Sequence, residues 1–150
     1  MLPEQWGFAY ASVALGDLLI LGGERQRGER LLRASLADMD YIGHDLKRGE
    51  IWYVIDRATA LALLGDRKGA LAALRKAVNT GYINTWELLP IDPAFDFIRN
   101  DAEFQSIMRE MQAKMASERQ ILEGMRATGK VPKRGDPHKV AQDQTNARPH

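Results

Sequence analysis

The sequence contains no cysteine, which excludes disulfides and thiolate-bound metal and removes the usual clue to redox compartment. An excess of one charge is missing too. The formal net charge is +1, so no global field draws the whole chain to nucleic acid or to an anionic membrane. No apolar run reaches the ~20 residues that a bilayer-spanning helix needs. The longest, "FAYASVALGDLLILGG", is interrupted by Asp17. No basic stretch precedes it, which makes it a poor signal peptide. A soluble, cytoplasmic protein without a membrane partner is the expectation. β-branched alternation is also nearly absent, which leaves helical periodicity as the dominant pattern.

The catalytic fingerprints are missing as well. There is no nucleophile elbow, no P-loop and no glycine-rich dinucleotide motif. Acidic residues are plentiful, but none is singled out by a neighbouring histidine or glycine-rich loop. The stretch "DMDYIGHDLKRGE" places Asp38, Asp40 and Gly43 at calcium-loop positions one, three and six. Ile42 then stands at position five and Gly49 at position twelve, where oxygen ligands are required. No histidine other than His44 occurs before His138 to complete a metal set. The expectation is a protein that is not an enzyme and carries no cofactor or metal.

What is present is a set of amphipathic helices. A first helix is expected over residues 4 to 22, with Trp6, Tyr10, Val13 and Ile20 near one face, ended by Gly22-Gly23. A second runs from about Glu24 to Met39, with Leu31, Leu32, Ser35, Leu36 and Met39 inward, and "YIGHDLKRGE" reads as a connector. A third starts near Glu50 and stops at Gly65. A fourth follows Asp66, a residue type suited to N-capping, and ends at Gly81, which suits the position just past a helix. Pro90 and Pro93 break the pattern, and Asp92-Pro93 reads as N-cap and first residue of a short helix. Asp101 is expected to cap a last long helix through about Met125, carrying Phe104, Met108, Met111, Met115, Leu122 and Met125.

The two helical hairpins align on their small residues. Gly16, Leu19, Gly23, Gly28, Leu32 and Ser35 in the first correspond to Ala58, Leu61, Gly65, Ala70, Leu74 and Ala77 in the second, at a constant offset of 42 residues. An internal repeat is therefore the strongest signal in the chain. Only small residues let two helix axes close to the short end of the usual separation, roughly 8–10 Å.

"LGDLLILGGERQRGERLLRASL" and "ATALALLGDRKGALAALRKAV" resemble the tetratricopeptide repeat (TPR), in which small, leucine and glycine positions follow this order. The resemblance covers about residues 9 to 82. It departs in its period, which is 42 residues against roughly 34 in the family. About eight extra residues fall around Asp40 to Gly49, so the first unit's second helix or its connector is extended. Arg57 stands where leucine is usual. "IDPAFDFIRNDAEFQSIM" resembles the closing segment of TPR arrays in bacterial regulators, adenylate cyclases and kinases. That likeness implies the end of a longer array or a small stand-alone relative.

The fold class expected is all-α, with two TPR-like hairpins and a C-terminal capping helix over residues 1–127, followed by a disordered basic tail over 128–150. The resemblance implies a function, the binding of a peptide or partner helix in an apolar groove by a scaffold or regulatory adaptor. It implies as groove residues Tyr10, Val13, Asp17 and Ile20 in the first unit and Trp52, Ile55, Thr59 and Ala62 in the second. The lysine and asparagine that grip a C-terminal carboxylate in part of the family are absent from these positions. The competing expectation is a structural role, in which the chain completes a longer array or self-associates into a homo-oligomer through Met108, Met111 and Met115. In the tail, Lys130, Lys133, Arg134, Lys139 and Arg148 outnumber Asp136 and Asp143. No aromatic residue is interleaved with these charges, so nucleic acid is not the expected partner.

Overall fold

The computed structural model describes residues 8–45, 53–81 and 86–131. Among these residues the chain is all-α, without strands, and its adjacent helices pack as antiparallel hairpins in a TPR-like arrangement. The elements are α1 (Phe8–Leu21), α2 (Arg25–Asp45), α3 (Val54–Leu63), α4 (Arg67–Thr80), a short 3-10 helix (Pro93–Ile98) and α5 (Ala102–Ala127). The chain divides into two compact units, residues 1–111 and 112–150. The expected start of α1 before residue 8, and the tail from residue 132 onward, lie outside the described residues.

In the first unit α1 packs along α2 and α3 along α4, and α3 also touches α1, α2 and the 3-10 helix. The repeat read from the sequence is reproduced at the level of single hydrogen bonds. At the first turn the Gly23 N–H donates to the Ile20 carbonyl, and the Glu24 N–H to Leu19. At the second, Gly65 donates to Ala62 and Asp66 to Leu61. Every one of these partners is displaced by the same 42 residues. Gly23 and Gly65 take φ of 87° and 78°, a left-handed conformation that a side chain disfavours. Asp66 then caps α4, its carboxylate accepting the Gly69 N–H at 2.8 Å.

The small residues do the work expected of them. A Cβ built at Gly28 would stand 2.6 Å from the Gly16 carbonyl oxygen, so the backbones of α1 and α2 meet at this pair. The corresponding Ala58 and Ala70 are fully buried. One apolar cluster joins Val54, Ala58, Ala70, Leu74 and Val78 to Leu89, Phe95, Ile98, Phe104, Ile107 and Met111. A smaller cluster joins Val13, Leu32, Met39 and Ala60.

The extended period resides largely in α2. This helix is 21 residues long, against 14 for α4, so the expected connector is helical over its first five residues, 41–45. Nothing in "ADMDYIGHD" breaks a helix, since an interior glycine costs only about 1 kcal/mol and no proline occurs there. The longer α2 explains the departure at Arg57, whose guanidinium donates to the Asp40 carboxylate on the added turn. A leucine could not make that link.

Asp92 caps the 3-10 helix through the Ala94 N–H at 2.9 Å, with Pro93 in its first turn. Asp101 caps α5 through the Glu103 N–H at 2.8 Å and also receives the Arg67 guanidinium from α4. These bonds hold the Asp101 carboxyl below its ordinary range, the Arg67 hydrogen bond being the largest cause. Asp101→Ala is expected to lower stability, through the lost cap and the lost Arg67 ion pair. Asp101→Asn keeps a capping oxygen and is expected to lose less than about half of that. Urea midpoints of the two variants check this, and equal losses would mean that the cap contributes nothing.

The second unit contains α5 from Gln112 to Ala127 and the turn that ends it, where the Lys130 N–H donates to the Met125 carbonyl at 2.9 Å. Ile121, Leu122 and Met125 remain exposed there. Among the described residues no helix is long and apolar enough to cross a membrane.

Candidate binding groove

The described groove positions implied by the resemblance lie on α1 and α3, the first helix of each hairpin. Where these helices run side by side they leave a concavity of about 320 Å³, lined by Val13, Ala14 and Asp17 of α1 and by Ile55, Asp56 and Thr59 of α3. Leu88, Leu89 and Asp92, from the segment leading into the 3-10 helix, close its third side. Val13, Asp17, Ile55 and Thr59 are thus brought together from two units of the repeat.

The other expected positions behave differently. Trp52 and the side chain of Tyr10 lie outside the described residues. Ile20 does not line the concavity, because it turns toward α2 and packs against the second core cluster beside Gly28. Ala62 is a core residue, 4% exposed, since a single methyl group this near the hairpin turn cannot reach past its neighbours. Of the three methionines considered for self-association, Met108 and Met111 are buried in the chain's own core. Met115 lies in the second unit, where it lines a shallow apolar hollow with Leu122 and Met125.

The groove is less apolar than the sequence implied. It holds three carboxylates, Asp17, Asp56 and Asp92. Asp92 uses one oxygen as a cap, and its backbone carbonyl accepts the Arg99 guanidinium at 3.0 Å. Among the described residues no cationic side chain pairs with any of the three carboxylates. Four arginines are engaged elsewhere, with Arg57 on Asp40, Arg67 on Asp101, Arg75 on Glu110 and Arg99 on Asp96.

Burial has a consequence for two of these carboxylates. Burial raises the Asp56 carboxyl above its ordinary value. Asp17 is raised as well, by burial first and by the neighbouring charge of Asp92 second. The folded chain therefore binds protons more tightly at these sites than the unfolded chain does. The penalty is absent below the unfolded range near about pH 4, grows as pH rises from there toward the raised folded values, and is complete above them.

Sequence reasoning missed Asp56, Asp92 and the two leucines. Asp56 directly follows an expected groove residue, but nothing local marks it as half-buried. Asp92 carried a sufficient local explanation as a cap. Among the described residues no cluster of acidic or histidine side chains is arranged to hold a metal ion.

A second concavity of about 380 Å³ lies between α2, α3 and α4, lined by Met39, Tyr53, Val54, Arg57, Leu61, Gly69, Ala72, Ala73 and Lys76. It contains none of the positions implied by the repeat. No family model, no curated protein and no solved structure matches the sequence.

Proposed function

We propose that this protein is a non-enzymatic protein–protein interaction module, a TPR-like scaffold or adaptor that binds a peptide or partner helix between α1 and α3. The observation that supports the reading is the concavity itself. Two units of an internal repeat contribute Val13, Asp17, Ile55 and Thr59 to one surface, at positions the resemblance implies for ligand contact. Preformed grooves of this kind recognise extended or helical segments through spaced apolar anchors.

The test is a selection of binding peptides from a displayed library against the full chain, followed by affinity measurements on two variants. Ala14 is exposed on the groove side of α1, and Ala14→Arg would plug the concavity without disturbing the core. Binding is expected to fall at least about tenfold, equivalent to about 1.4 kcal/mol. Ala72→Arg, on the exposed rim of the other concavity, is expected to leave it unchanged. Peptides that bind Ala14→Arg as well as the parent would overturn the groove reading.

A second reading has its own observation. Leu15, Leu18 and Leu21 form an exposed apolar stripe on α1, at 51%, 64% and 71% exposure. A contiguous stripe of this kind suits contact with further repeats or with another copy of the chain. Light scattering on the parent and on Leu18→Gln separates this structural role from an open groove.

A further inference from the structure

We propose that the α1/α3 groove selects a cationic anchor: a Lys or Arg side chain, flanked by apolar residues, in a segment of another protein. This rests on the groove reading above and names the chemistry of the partner. The carboxylates come from three separate elements, Asp17 from α1, Asp56 from α3 and Asp92 from the segment before the 3-10 helix. They converge on one concavity, while Val13, Ile55, Leu88 and Leu89 supply its apolar walls.

Charge complementarity chooses the occupant. Half-buried carboxylates without a counter-ion are costly, yet among the described residues these three stand together with no cationic side chain paired to them, while Arg57, Arg67, Arg75 and Arg99 pair elsewhere. A lysine or arginine meets both features of the site at once. Its methylene stem lies along apolar walls, and its charged head reaches the acids. Arginine can also bond a carboxylate through two parallel N–H groups. A bare cation is not the occupant, because the described acids are not grouped tightly enough to coordinate one. An acidic or purely apolar segment would leave the charges unmatched or increase the repulsion. The raised Asp17 and Asp56 carboxyls point the same way, since a bound cation would lower both again. The preference is local, because the chain as a whole has a net charge of +1.

The probe is an array of dodecapeptides with randomised Leu, Val, Ala and Ser, in which two central positions are Lys, Arg, Gln or Glu. The full chain is bound to the array at two salt concentrations. The expected result is at least tenfold stronger binding to Lys or Arg peptides than to their Gln counterparts, weakened by salt. In Asp17→Asn and Asp56→Asn that preference is expected to shrink to about twofold. Both variants are expected to melt at or above the parent's temperature at pH 7, which separates lost charge from lost fold. Peptides bound equally with Lys and Gln, yet lost in Ala14→Arg, would overturn the cationic anchor while leaving the groove reading intact. Preference for Glu would do the same. Binding that ignores Ala14→Arg, or no binding to any peptide, would overturn both.

Discussion

Phe104→Ala is expected to lower the stability of the protein by about 3–5 kcal/mol. Phe104 is fully buried in the first turn of α5. Its ring lies 5.9 Å from that of Phe95 on the 3-10 helix, tilted by 33°, a spacing at which aromatic pairs attract beyond their buried area. Ile98, Ile107 and Met111 complete the same cluster with Leu74 and Val78 of α4. Two hairpins are fewer than the three units a repeat array usually needs, so this closing layer supplies the missing apolar surface. A domain of this size is stable by about 5–15 kcal/mol in total, and the loss would take a large part of that. Phe104→Leu, which keeps most of the volume, is expected to cost less than about half as much. Urea unfolding followed by circular dichroism measures both. A loss below about 1 kcal/mol for Phe104→Ala would mean that α5 does not close the hairpins.

Gly28→Val should cost about 3 kcal/mol or more, at the upper end of what overpacking causes. The obstacle is backbone. The added Cβ would approach the Gly16 carbonyl oxygen to 2.6 Å and the Ile20 Cγ1 to 2.7 Å. A side chain can rotate away, but a carbonyl in a helix moves only if the helix moves. α1 must therefore separate from α2, and the Val13–Leu32–Met39–Ala60 cluster must loosen with it. Gly28→Ala suffers the same clash. Part of its cost is offset by alanine's better helix propensity, about 1 kcal/mol. Gly124 provides the control. It is also a helical glycine, but an added Cβ there meets nothing within 4 Å, so Gly124→Ala should raise the helicity of α5. Thermal melts of the Gly28 variants, with the ellipticity of Gly124→Ala, check both signs. Equal stability of Gly28→Val and the parent would disprove the close approach of α1 and α2.

The repeat register was legible because its determinants are local. Gly23 and Gly65 mark turns wherever the chain is placed, and Asp66, Asp92 and Asp101 cap helices that begin within three residues of them. The full length of α2 was less legible, because no breaker marks its end and the Arg57–Asp40 pair that ties it to α3 spans 17 residues.

The candidate groove divides in the same way. Val13, Asp17, Ile55 and Thr59, which the resemblance implied as groove positions, line one concavity. Ile20 and Ala62 occupy equally plausible positions on the same helices, yet one faces α2 and the other the core. By itself the sequence determined the hairpins, their 42-residue register, their turns and their caps, because each rests on contacts within a few residues. Only the tertiary structure decided that Asp17, Asp56 and Asp92 share one concavity. Their meeting depends on how α1 and α3 pack and on where the segment before the 3-10 helix crosses them. A carboxylate's burial, and the lack of a cationic partner for it among the described residues, are properties of that packing, which no short stretch of sequence contains.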